Sequence, residues 1–190
     1  MGTEKFKPYM EFTAQGMSFQ ALMLMISQLE KREHSLGELL PVVVFMAFTL
    51  EAYLNSLGSR HIEFWDQIER IPWRKKVEVL HLHAGKELDW GSKHLQYASQ
   101  LFALRDKLAH GKAEVMEGPT CVSLEEAQDK LAGEMLNPPW LNAVASGWLG
   151  TARGRFRALM THFSDLYGLA PTDQQLHSRQ WTEVIRSDER

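Results

Sequence analysis

The chain has 190 residues, of which 44% are apolar and 24% are charged, and its formal net charge is −3. These proportions exclude a disordered, low-complexity or collagen-like chain, and they supply enough apolar residues for one domain or two small ones. A single cysteine, Cys121, excludes an intrachain disulfide framework, a cysteine-rich zinc site and a CxxC redox pair.

The first half of the chain predicts two long helices followed by two short ones. Apolar residues recur at helical spacing over residues 15–29. The second and most apolar helix is expected to have Pro41 in its first turn and to end at Gly58. Two shorter helical pieces are expected over residues 61–84, with Gly85 as the terminator.

The second half predicts two more long helices separated by an irregular excursion. The third long helix should be capped by Ser92 and end at Gly111. Residues 112–139 are predicted to hold an extended piece and a short helix that opens with a capping box at 123–126. A fourth long helix is expected over residues 140–167.

Strand alternation is nearly absent, so we predict an all-α fold, a bundle of four long helices with shorter connecting helices. The helical domain is placed at residues 15–168, between an N-terminal extension at 1–14 and a polar C-terminal tail at 169–190. The N-terminus lacks the apolar core of a secretory signal, and the apolar run at 39–50 is shorter than the roughly 20 residues that span a bilayer. We therefore expect a cytoplasmic protein that does not enter a membrane.

Several enzyme classes are disfavoured by missing motifs. The sequence contains no GxxxxGK[ST], GxGxxG, GxSxG or HExxH, which argues against P-loop, Rossmann, α/β-hydrolase and zincin enzymes. His81 and His83 are two residues apart and diverge by about 200° on a helix, so no metal site is expected there.

The end of the third long helix concentrates polar groups suited to phosphate chemistry. Asp106 and His110 are four residues apart and share a face, while Arg105 and His110 lie about 140° apart. A contact between Asp106 and His110 would orient the imidazole, and the planar guanidinium of Arg105 suits a phosphate. Phosphodiester chemistry needs these two parts, a histidine that moves a proton and a permanent cation.

This segment, RDKLAHG, resembles the R-x4-6-H motif of the HEPN superfamily. The segment FTLEAYLN is similar to the second helix of many HEPN domains, which contains an acidic residue; here Glu51 and Asn55 share a face. Together with the order of four long helices, the resemblance covers roughly residues 15–168, so it implies a HEPN-like helical bundle.

The resemblance implies a homodimeric endoribonuclease that uses neither a metal nor another cofactor. In HEPN ribonucleases the 2′-hydroxyl of RNA attacks its own phosphodiester and leaves a 2′,3′-cyclic phosphate. Carried onto this chain, His110 would move the proton, Arg105 would hold the phosphate, and Asp106 would orient both. Glu51 and Asn55 would support Arg105.

The resemblance also implies partners. Lys107 and Lys112 would add positive potential for RNA or a nucleotide, and a nuclease of the toxin or defence type would have a cognate antitoxin. Two alternatives stay open: a catalytically inactive HEPN-like domain that binds RNA, a nucleotide or a protein, and a helical adaptor outside the family. Under either alternative, Arg105 and Asp106 could belong to a solvated face of the helix. A pair between Glu51 and Arg105 could then be purely structural.

Overall fold

The computed structural model describes residues 5–133, 138–144, 147–170, 172–176 and 178–185, and the chain is mostly helical. The elements in chain order are β1 (Lys5–Phe12), α1 (Ala14–Leu29), α2 (Leu36–His61), α3 (Trp65–Ile68), α4 (Trp73–His83), α5 (Lys93–His110), α6 (Leu124–Gly133), α7 (Pro139–Asn142), α8 (Trp148–Asp165), a 3₁₀ turn (Asp173–Gln175) and β2 (Ser178–Ile185). The prediction of a largely helical fold is confirmed, and a two-stranded sheet is added to it.

Helix α2 is the centre of the core. It packs against α1, α3, α4, α5 and α8, and its apolar residues, among them Val42, Leu50 and Leu54, are fully buried. Within the described part of the chain, it is the helix that is long and apolar enough to cross a membrane by length and composition. Its packing against five other helices is that of a core helix.

Both predicted boundaries of α2 are wrong, for identifiable reasons. The helix begins earlier because the Glu38 carboxylate accepts a hydrogen bond from the backbone N–H of Ser35 at 2.8 Å, which closes a capping box. Gly58 does not end the helix: a Cβ at this position would lie 2.1 Å from the indole of Trp65. The glycine is therefore required by close packing, and α2 continues to His61.

The third long helix is confirmed, and it carries the candidate site. At its start the Ser92 hydroxyl accepts a hydrogen bond from the backbone N–H of Leu95. At its end Gly111 adopts a left-handed conformation with φ +54°. After it, residues 112–121 form no regular element, so the extended piece expected there is not a strand. Half of the predicted capping box opens α6: the Glu126 N–H donates to the Ser123 hydroxyl, but the Glu126 carboxylate accepts from the backbone N–H of Val122 instead of that of Ser123.

The predicted fourth long helix is two helices, α7 and α8. Gly147 adopts φ +82°, a left-handed conformation that interrupts a right-handed helix. Helix α8 ends at Asp165, and the chain turns at Gly168, where φ is +62°.

The two terminal segments pair with each other, which the sequence did not predict. Strands β1 and β2 form an antiparallel ribbon in which Lys5 faces Ile185 and Phe12 faces Ser178. At the end of the ribbon near the helices, Arg60 of α2 pairs with Glu11 at 3.2 Å and with the buried carboxylate of Asp173 at 3.0 Å.

Candidate functional site

The candidate site lies where α5 ends. Near this end Phe102 and Leu104 are buried in the core, because apolar residues recur at helical spacing along one face. The opposite face is exposed and carries Ala103, Asp106, Lys107 and His110. The end of α5 therefore presents ionisable side chains to solvent directly beside the core.

Arg105 lies between these two faces and points toward α2. Its side chain is 23% exposed, its guanidinium carbon lies 5.0 Å from the centre of the Phe102 ring, and its Nη1 donates to Glu51 at 3.3 Å. Its Nε donates to Asp106 at 2.8 Å. The predicted contact between Arg105 and Glu51 is thus present, and two carboxylates hold the guanidinium.

Glu51 bridges two cations from different helices. Its second oxygen accepts a hydrogen bond from Lys76 of α4 at 3.2 Å, and the Lys76 side chain is only 3% exposed. A buried ammonium needs an opposite charge, so Glu51 serves Lys76 as well as Arg105.

Sequence reasoning missed Lys76. It belongs to the run Arg74-Lys75-Lys76, in which all three residues are basic. Residue type alone therefore does not tell which of them is buried. The one available signal was its spacing from Leu80, four residues on and fully buried, which places Lys76 on the inner face of α4.

A groove of about 310 Å³ opens at the exposed end of α5. It is lined by Ala103, Asp106, Lys107, His110, Lys112 and Glu114. The imidazole of His110 faces solvent and makes no hydrogen bond with any residue that the structure describes. Lys107 donates to Glu114 at 2.5 Å, so one carboxylate partly neutralises the cationic side of the groove.

The expected contact between Asp106 and His110 is not made, although both side chains line the groove. Asp106 accepts from Arg105 instead, because a neighbouring guanidinium offers a charge-assisted hydrogen bond. Arg105 does not line the groove. Within one chain, Asp106 therefore pairs with the guanidinium and lines the groove beside His110, while Arg105 and His110 do not line the same groove.

Asn55 was expected to support Arg105, but it takes no part in this cluster. Its side-chain oxygen is buried without a hydrogen-bond partner in the described part of the chain, and the residue lines a different groove. Of the two predicted supporting residues, only Glu51 contacts Arg105.

The arrangement provides an accessible imidazole with two lysines and two carboxylates around it. A histidine can accept and return a proton, and ammonium groups hold a phosphate as point charges. Over the described residues, no three His, Cys, Asp or Glu side chains are placed to hold a metal ion. Cys121 lies half-buried in the excursion, with its thiol donating to the Pro119 carbonyl.

Comparison with known proteins gives no relative. No protein-family model matches the chain, and neither a curated protein nor a solved structure is significantly similar to it. The resemblance to HEPN domains therefore depends on the two sequence motifs.

Proposed function

We propose that this chain is a HEPN-like, metal-independent endoribonuclease of the toxin or defence type. The observation that supports it is the groove at the end of α5, where the exposed imidazole of His110 stands with Lys107 and Lys112. A single-stranded RNA placed there would have its phosphate beside two ammonium groups and its 2′-hydroxyl within reach of a base.

In the proposed reaction, the 2′-oxygen attacks the adjacent phosphorus and the bond from phosphorus to the 5′-oxygen breaks. His110 of one protomer takes the proton of the 2′-hydroxyl, and the leaving 5′-oxygen receives a proton from the protonated His110 of the other protomer in the proposed homodimer. The products are a 2′,3′-cyclic phosphate and a 5′-hydroxyl. Arg105, held by Glu51 and Asp106, lies to one side of this groove, so a homodimer in which two α5 ends meet would supply the converging cations.

The proposal includes a cytoplasmic location and control by a cognate antitoxin that covers the groove. Such an antitoxin would need acidic groups opposite Lys107 and Lys112 and would compete directly with RNA.

The test is cleavage of labelled single-stranded RNA in EDTA. Wild-type protein is expected to release fragments that end in a cyclic phosphate, and His110→Ala is expected to cut at least about 100-fold more slowly, since general acid–base groups contribute at this scale. Arg105→Ala is expected to lose activity while Glu51 keeps Lys76 as its partner.

The matched control is His34→Ala, which removes another exposed histidine. It should cut as fast as the wild type. Equal cleavage by wild type and His110→Ala would overturn the assignment of the site.

One observation favours a second candidate, an inactive domain that binds RNA or a nucleotide. The guanidinium of Arg105 is paired with two carboxylates and Lys107 with a third, so little uncompensated charge is left to stabilise a transition state. This candidate predicts RNA binding that weakens steeply with salt and leaves the RNA intact.

A further inference from the structure

The two outer edges of the terminal ribbon differ in how well they are protected. Within the described part of the chain the sheet consists of β1 and β2, so the outer edge of each strand has no strand beside it. Strand β1 carries Lys5, Lys7 and Pro8, and lysine and proline are the residues with which proteins block an open edge. The edge of β1 is therefore a poor template for another strand.

Strand β2 lacks this protection. Its sequence, SRQWTEVI, contains neither lysine nor proline, and half of its residues are of the β-branched and aromatic types that favour strands. Seven of its eight residues are exposed. Because unpaired N–H and C=O groups along an edge favour pairing with a further strand, β2 presents an open edge eight residues long.

The open strand is complementary to itself. In a two-fold symmetric antiparallel pair, one residue lies opposite its own copy, and residues at equal distances on either side of it face each other. With Trp181 on the axis, Arg179 lies opposite the partner's Glu183, and Glu183 lies opposite the partner's Arg179. Moving the axis to Gln180 or to Thr182 loses both ion pairs, so the charges of β2 select one register.

We infer that the free edge of β2 pairs with β2 of a second copy of this chain, so that two chains share a four-stranded antiparallel sheet in the order β1, β2, β2, β1. The aromatic rings of the ribbon fit this arrangement. Tyr9 lies opposite Trp181, and the two rings stack with their centres 5.3 Å apart. Around the two-fold axis they become a continuous row of four rings, and aromatic cross-strand pairs stabilise a sheet.

The charged residues on the same face fit it as well. Lys7 lies opposite Glu183, and Glu11 lies opposite Arg179. In the shared sheet each of these pairs is extended by the partner's charges, so the sign alternates across all four strands. Arg179 also contacts Asp173, and a guanidinium has five N–H donors, so one arginine can serve both carboxylates.

The protected edge of β1 lies on both outer sides of this sheet, so assembly stops at two chains. The interface is separate from the contact between α5 ends in the proposed nuclease, and it does not depend on ribonuclease activity.

The first test is sedimentation velocity of the full chain over a range of concentrations. Wild-type protein is expected to change reversibly from monomer to dimer, with a micromolar Kd because an interface of one strand pair is small. Glu183→Gln removes a charge that faces the partner. It is expected to raise the Kd about three- to tenfold, since a symmetric interface loses two such pairs.

Lys7→Gln is the matched control. It breaks the same cross-strand pair inside the ribbon, but β1 is separated from the partner's β2 by a strand. Its Kd should stay within about twofold of the wild-type value. Equal weakening by the two variants would overturn the inference, because the loss would then come from the ribbon of each single chain.

The second test locates the pairing by disulfide crosslinking in a Cys121→Ser background, which removes the free thiol of the chain. Trp181→Cys is expected to crosslink to its own copy on mild oxidation, because opposite residues in antiparallel strands have Cβ atoms about 4.5–5.5 Å apart. Tyr9→Cys is the control. Its two copies would lie three strand spacings apart, about 14 Å, which is beyond the reach of a disulfide.

The inference is overturned if the wild type stays monomeric up to about 1 mM, or if it forms a series of larger oligomers. Equal crosslinking of Tyr9→Cys and Trp181→Cys would also overturn it. So would a dimer in which Trp181→Cys does not crosslink, since another surface, such as the α5 ends, would then hold the two chains. RNA cleavage tests the nuclease separately, so the failure of one proposal is distinguishable from the failure of the other.

Discussion

Glu51 illustrates how single residues decide the character of the site. The resemblance to HEPN domains implied that Glu51 would support Arg105, and this contact is present. Lys76 was not predicted, because only the tertiary packing of α4 distinguishes it from its neighbours. Asp106 was assigned the wrong partner, because helical spacing brings His110 near but does not account for the adjacent guanidinium.

Removal of the Glu51 charge tests this bridge. Glu51→Gln leaves the Lys76 ammonium buried without its counter-charge, and we expect a loss of about 2–3 kcal/mol in the free energy of unfolding, measured by urea denaturation. Glu78→Gln is the control, because it breaks an exposed Lys–Glu pair and should change stability by less than about 0.5 kcal/mol. Adding Lys76→Met to Glu51→Gln should restore most of the lost stability. If it does not, the buried ammonium is not the cause of the destabilisation.

At the scale of elements, most helices followed from apolar spacing, and two of the helix errors fell at glycines. Gly111 and Gly85 end helices as predicted, since both adopt positive φ. Gly58 was misread because a glycine that admits a neighbouring ring is indistinguishable, in one sequence, from a glycine that stops a helix. Gly147 was not predicted to break the helix before α8, because a glycine that interrupts a helix looks, in one sequence, like a glycine inside it.

Substitution of Gly58 separates these two roles. Gly58→Ala adds a methyl group 2.1 Å from the Trp65 ring, and we expect a loss of about 1–3 kcal/mol by thermal or urea unfolding, despite the better helix propensity of alanine. Gly154→Ala in α8 is the matched control, because nothing lies within 4 Å of the added carbon. It should gain about 0.5–1 kcal/mol. A stabilised Gly58→Ala would contradict the close packing against Trp65.

At the scale of the whole molecule, Asp173 and Arg60 join distant parts of the chain. Asp173 is 2% exposed and accepts hydrogen bonds from Arg60 and from Arg179 of β2, while Arg60 also binds Glu11 of β1. Sequence reasoning could not find this junction, because Arg60 and Asp173 are 113 residues apart and none of its members belongs to a recognisable motif. For the same reason it assigned no structure to either terminal segment.

Asp173→Asn tests the junction. It removes the charge that two guanidinium groups share, and we expect a loss of about 1–3 kcal/mol in unfolding free energy, together with faster amide hydrogen exchange in β1 and β2. Glu87→Gln, which alters an exposed carboxylate, should leave both measurements near wild type. If exchange in the ribbon does not change, the junction does not hold the termini.

Stability should also depend on pH through three histidines where α4, α5 and α8 meet. Burial, and then the neighbouring His81 and His94, lower the pKa of His162 to about 4, and Asp165 acts in the opposite direction. Burial likewise lowers the pKa of His81 and of His94. The ring centres of His81 and His94 lie 5.5 Å and 5.1 Å from that of His162.

The direction of the change in stability with pH follows from which state, folded or unfolded, binds protons first. These folded pKa values lie below the unfolded value of about 6.5, so the unfolded chain binds protons first as the pH falls. Stability should be full above about pH 6.5 and decline toward pH 4, measured as the urea midpoint. His162→Gln should flatten the decline, whereas His34→Gln should not. An unchanged slope in His162→Gln would show that other groups carry the pH dependence.

The geometry of the terminal ribbon has a mechanical consequence. Lys5 and Ile185 face each other at the end of the ribbon farthest from the helices. A load that pulls these two residues apart acts across the ladder of the ribbon and breaks its rungs in succession, as a zipper opens. Tension applied at Lys5 and Ile185 would therefore separate the two strands before it loads the helical core.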